Sequence, residues 1–182
     1  MKTELKIIAM FLMLLSSALG QAAPGTVAGL PSELREAVLR DAACSHPAET
    51  ASDETARANW LETAVATQDI RSAGGASVGV IVAFSDACRC RDANCGTYVY
   101  LKNGSDYKLA FSGTFSSLHA VRIFKHGYPS LSGKVQLNKA QAESTVYDWN
   151  GKAYAPSLCA TITQGAGRRV PSIVHHDCAK AQ

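Results

Sequence analysis

The chain has 182 residues and a formal charge of +3, with 47% hydrophobic and 18% charged residues. That balance is too even to mark a nucleic-acid or anionic-membrane binder, and Arg168-Arg169 makes only a local basic pair. The length suits one domain with a hydrophobic core of its own, not a miniprotein held by cysteines alone.

Lys2 and Lys6 precede an unbroken apolar run from Ile7 to Leu15, followed by the small residues Ser16, Ser17, Ala18 and Gly20. This pattern predicts an export signal peptide over 1–20, cleaved near Gly20-Gln21. The run is shorter than the roughly 20 residues of a bilayer span, so no stable membrane insertion is expected after cleavage. Residues 21–30 read as a flexible leader. Ser32 is a candidate N-cap with Glu33 in the first turn. Leu34, Ala37, Val38 and Ala42 follow at helical spacing, which predicts an amphipathic helix ending near Cys44. The polar stretch His46 to Asn59 reads as a loop or weak helix.

Period-two patterns dominate from there. Ala64 to Arg71 partly alternates, and Val78 to Phe84 is a continuous apolar run suited to a central strand. Cys88 to Cys95 reads as a polar loop. Thr97 to Lys102 and Tyr107 to Phe111 flank Asn103-Gly104, a hairpin signal. Leu118 to Phe124 and Leu131 to Leu137 are separated by a turn at His126-Gly127-Tyr128-Pro129. Thr145 to Trp149 and Lys152 to Ala155 flank a second hairpin signal, Asn150-Gly151. The expected fold is α+β: one N-terminal helix followed by an antiparallel β-meander of about seven strands, disulfide-stapled. A single domain is expected over 31–163, with an irregular C-terminal tail over 164–182 pinned by Cys178. No repeat of fixed period is visible.

The cysteines are Cys44, Cys88, Cys90, Cys95, Cys159 and Cys178. An even number behind an export signal reads as a disulfide set. Cys88 and Cys90 are too close to bond each other without strain, so one of them is expected to close a short loop to Cys95. The others would tie the helix and the tail to the sheet.

Candidate chemistry is sparse. Gly75-Ala76-Ser77-Val78-Gly79 matches a nucleophile elbow, which needs a strand, a sharp turn and then a helix. Here Ser77 leads into a strand instead, so a turn is the better reading. The cysteine cluster lacks the paired knuckles of a zinc site, although Arg89 and Arg91 would favour thiolates. His175-His176-Asp177 offers imidazole and carboxylate, but neighbours on a strand point to opposite faces. No metal and no cofactor are therefore expected. Tyr98, Tyr100, Tyr107, Tyr128, Tyr147, Trp149 and Tyr154 fall on predicted strands, either as sheet packing or as an exposed binding platform.

The motif string runs from the cysteine loop through Cys95-Gly96-Thr97-Tyr98-Val99-Tyr100, Gly104 and Tyr107. It continues through Gly127-Tyr128-Pro129 and Leu131 to Tyr147-Asp148-Trp149-Asn150-Gly151, Tyr154 and Cys159. This stretch resembles small exported bacterial proteins of uncharacterised function. The resemblance implies a periplasmic or secreted β-rich domain and carries no activity with it.

The functional expectation is a non-catalytic periplasmic or secreted binding protein whose partner is another protein and not a nucleic acid. A specific version is an inhibitor or immunity protein acting on a cell-wall hydrolase or toxin, through Lys125, His126, Tyr128 and Trp149. The alternatives are a small hydrolase or metal-dependent enzyme, using Ser77 or His175 and His176, and a structural envelope component.

Overall fold

A computed structural model describes residues 31–41, 54–165 and 170–178. The expected signal peptide, leader and Cys44 lie outside the described residues. No helix among the described residues is long and apolar enough to cross a membrane.

The chain order is α1 (Ser32–Asp41), α2 (Glu54–Ala64), β1 (Val65–Arg71), β2 (Ser77–Phe84), β3 (Cys90–Arg91), β4 (Asn94–Asn103), β5 (Asp106–Phe115), β6 (Ser117–Lys125), β7 (Tyr128–Gln136), β8 (Gln141–Trp149), β9 (Tyr154–Thr163) and β10 (Ser172–His176). The β-rich, disulfide-bonded architecture is as expected; its count and layout differ. Among the described residues ten strands, not about seven, form two five-stranded antiparallel sheets. Of the two readings of His46 to Asn59, loop or weak helix, the described part from Glu54 is helical, as the first turns of α2. The tail is not wholly irregular either. β10 pairs with β9 over its whole length.

The first sheet runs β1-β2-β4-β5, with the short β3 beside the start of β4; the second runs β10-β9-β8-β7-β6. Strand alternation divides the core in two. Val80, Val82, Phe84 and Tyr100 pack on Leu34, Ala37, Val38 and Trp60 of the helices. Ile70, Ile81, Val99 and Leu101 pack on Leu131 and Tyr154 of the second sheet. The layers are therefore helices, first sheet, second sheet. The α1 stripe Leu34, Ala37 and Val38 is buried as its spacing predicts. Ser32 is not the cap, however: the Pro31 carbonyl accepts from Leu34 and Arg35 at 3.1 Å, so Ser32 already lies inside the helix.

The two sheets repeat one another in register. Ile70↔Gly79, Val80↔Tyr100 and Lys102↔Tyr107 in the first sheet recur as Val121↔Ser130, Leu131↔Tyr147 and Trp149↔Tyr154 in the second. The bulges recur as well. One follows Ile70 and one Val121; another follows Val99 and its counterpart Val146. Val99-Tyr100-x-x-Asn103-Gly104-x-x-Tyr107 is echoed as Val146-Tyr147-x-x-Asn150-Gly151-x-x-Tyr154. The duplication shows no fixed period along the chain because the insertion carrying β3 makes the two spacings unequal.

The repeat explains the layering. The face of the second sheet that meets the first is the counterpart of the face that the first presents to the helices. On its outer face, Ser130, Ser132 and Asp148 replace Gly79, Ile81 and Leu101, and the Ser130 hydroxyl donates to Asp148 at 2.5 Å. Two of the four apolar docking residues, Ile81 and Leu101, thus have polar counterparts, whereas Val121 and Val146 keep the positions of Ile70 and Val99 apolar.

Candidate functional site

The β6–β7 hairpin turns at His126-Gly127, with φ of 50° and 83°. Two successive positive φ values match the right-handed twist of the flanking strands, and Gly127 supplies one without steric cost. Below the turn, Lys125 pairs with Tyr128 and Phe124 with Pro129, and the register then jumps to Val121. That bulge leaves Arg122 and Ile123 outside the pairing. Ile123 and Phe124 are 55% and 39% exposed. Arg122, Lys125 and His126 are exposed beside them, and no Asp or Glu occurs between Ser117 and Ser132. The tip is therefore apolar and cationic together.

The four expected binding residues separate into two roles. Lys125 and His126 are at the exposed tip. Tyr128 and Trp149 are half-buried beneath it, with ring centroids 5.0 Å apart, and Trp149 lies 5.2 Å from Tyr154. The Tyr154 hydroxyl donates to the Pro129 carbonyl at 3.1 Å. Burial pushes the Tyr154 phenol well above its ordinary pKa, with Tyr128 a smaller contributor. These rings pack on one another beneath the hairpin and brace it, and Tyr128 and Trp149 stay partly exposed. Arg122, Ile123 and Phe124 were not anticipated. The available signal was Ile123-Phe124, adjacent apolar residues that break alternation, so one of them must leave the core.

The aromatic chain continues into the space between the sheets. Phe111 lies 4.7 Å from Tyr147 and 6.3 Å from Tyr154, and Phe115 lies 6.0 Å from Tyr147. A cleft of about 470 Å³ opens there, with Glu143, Thr145 and Tyr147 in alternate positions of β8 along one wall. Burial raises the Tyr147 pKa, helped by the Glu143 charge and opposed by a Thr145 hydrogen bond. A larger groove of about 710 Å³ lies at the β7–β8 turn. Its amides are engaged in the turn itself: Gln136 donates to the Gln141 carbonyl at 3.0 Å, and Asn138 accepts from Ala140 and Gln141.

The other candidates lie apart. Ser77 begins β2 and donates to Asp69 on the neighbouring strand at 2.6 Å, so the strand–turn–helix of an elbow is missing. Cys90 bonds Cys95 and Cys159 bonds Cys178, as the short loop and the pinned tail required. Cys88 is also disulfide-bonded, and no described cysteine is free. The thiolate readings therefore have no thiolate in this form of the protein. His175 and His176 face Ala160 and Cys159 on successive positions of β10 and so point to opposite sides of the sheet. Among the described residues no three His, Cys, Asp or Glu side chains gather at one point. Comparison with protein-family profiles, curated proteins and solved structures returned no match.

Proposed function

We propose that the protein is a non-catalytic exported binding protein, periplasmic or secreted, that inserts the β6–β7 hairpin into a cleft of a partner protein. The partner class is a cell-wall hydrolase or a toxin, which the hairpin would inhibit by occupying its substrate site. The observation that carries this reading is the exposure of Ile123 and Phe124 among Arg122, Lys125 and His126 on a braced turn. Exposed apolar anchors flanked by charge suit a partner pocket, because a few desolvated residues supply most interface energy. Glycoside hydrolases work with a pair of carboxylates in the cleft, and a cationic hairpin free of carboxylates complements that charge. The disulfide framework fits an oxidising compartment and therefore fits export.

The test is turbidity clearing of a peptidoglycan suspension by a panel of muramidases, with the mature protein added in equimolar amount. Inhibition of at least one enzyme is expected. Ile123→Asp with Phe124→Asp should weaken it by about a hundredfold, the loss expected of two hot-spot anchors. Equal inhibition by the wild type and that variant would remove the hairpin from the interface. Intact mass of the exported protein checks the location: a chain starting at Gln21 is expected, and a retained Met1 would overturn export by a cleaved signal.

A further inference from the structure

The inter-sheet cleft is a second candidate site, separate from the hairpin, whose residues 122–126 do not line it. The internal repeat explains why it is open. Against the helices, Tyr98 and Val82 fill the space beside Tyr100. Their counterparts beside Tyr147 are Thr145 and Gly133, and the loss of bulk leaves a void between the sheets. Phe115 takes up part of it. Its ring lies so close that a Cβ on Gly133 would come within 2.8 Å. The remaining cleft, about 470 Å³, lies within the range of small-molecule pockets.

Its lining has one sign. Phe111, Phe115, Tyr147 and Tyr154 supply aromatic surface, and Glu143 is the one carboxylate among the lining residues, with no lysine, arginine or histidine there. Val135 and Thr161, the strand neighbours of Glu143, are uncharged. No cation pairs with Glu143 among the described residues. A half-buried carboxylate against aromatic walls favours a cation that carries its own apolar surface, through charge pairing and ring-face attraction together.

We propose that this cleft binds a small planar aromatic molecule bearing a cationic nitrogen, with its ring against Phe115 and Tyr147 and its nitrogen towards Glu143. Phenethylamine, its uncharged analogue 2-phenylethanol and the anion 3-phenylpropionate form the probe set. Binding is read by calorimetry and by chemical-shift changes on the mature, disulfide-intact protein. The amine should bind saturably and about tenfold tighter than the alcohol, a difference of about 1.4 kcal/mol. Glu143→Gln, which keeps the side-chain shape, should abolish that preference. Thr145→Tyr restores the residue of the first repeat and should block all three probes while the thermal transition is retained. The proposal falls if the amine binds no better than the carboxylate, or if amine binding is unchanged in both variants. Neither outcome bears on the hairpin.

Discussion

Arg89 places a guanidinium in the first core, 4.3 Å from the Phe84 ring centroid and 5.2 Å from that of Trp60. Its Nη1 donates to Asp86 at 2.9 Å, with side-chain exposures of 3% and 11% for the pair. Asp86 also accepts from the backbone nitrogens of Cys88 and Arg89, which ties down the turn leading to the cysteine loop. Removing one member of a buried pair leaves an uncompensated charge. Arg89→Ala should therefore cost about 3–5 kcal/mol in urea unfolding, and Arg91→Ala, on an exposed residue, close to nothing. Tyr154 sets a pH limit. Its folded pKa lies above the ordinary 10.0, so the folded state holds the phenolic proton more tightly than the unfolded state does. That contribution is complete below pH 10 and is lost as the pH rises beyond it. Tyr154→Phe should cost about 1 kcal/mol at neutral pH, from the lost bond to Pro129, and should flatten the stability loss above pH 10. Denaturation midpoints at pH 8 and 11 test both halves of this expectation.

At the scale of the element, β10 depends on its crosslink. It is an edge strand of five residues, Ile173 and Val174 are exposed, and Cys178 ties its end to Cys159 on β9. Closing a loop with a sequence separation of 19 removes unfolded-state entropy worth about 3 kcal/mol. The double change Cys159→Ala, Cys178→Ala should lower stability by about that amount and raise amide exchange in β10 first. Unchanged protection of β10 would show that pairing alone holds it. The hairpin illustrates the same dependence of an element on its support. Its turn residues can be read from the chain, but the exposure of Ile123 and Phe124 follows from a bulge that no turn motif announces.

At the scale of the whole molecule, the two repeats are joined by rings more than by hydrogen bonds. Asn94 does bridge them, donating to and accepting from the backbone of Gln136 at 2.8 and 2.7 Å. The larger contact is Phe111 and Phe115 on Tyr147, with the Phe115 ring seated over Gly113 and Gly133. Gly133→Ala should cost about 1–3 kcal/mol by overpacking. Phe115→Leu should relieve most of that cost in the double variant, a coupling that a double-mutant cycle measures directly. Additive effects would place the strain elsewhere.

Much of the local structure was legible along the chain, because turns and alternation are local physics. Asn103-Gly104, His126-Gly127 and Asn150-Gly151 marked three hairpins, and the apolar spacing in α1 marked its buried face. The closing of Cys95 by a near neighbour and the pinning of the tail by Cys178 also followed from the spacing and even number of the cysteines. Tertiary structure decided the rest. β3 and β10 are too short to show a period of their own and exist because a longer strand offers them an edge. The division of one meander into two sheets, with Tyr128 and Trp149 as supports and Ile123 and Phe124 as surface, depends on which faces meet. Strand alternation says that two faces differ; only packing between sheets says which of them is covered.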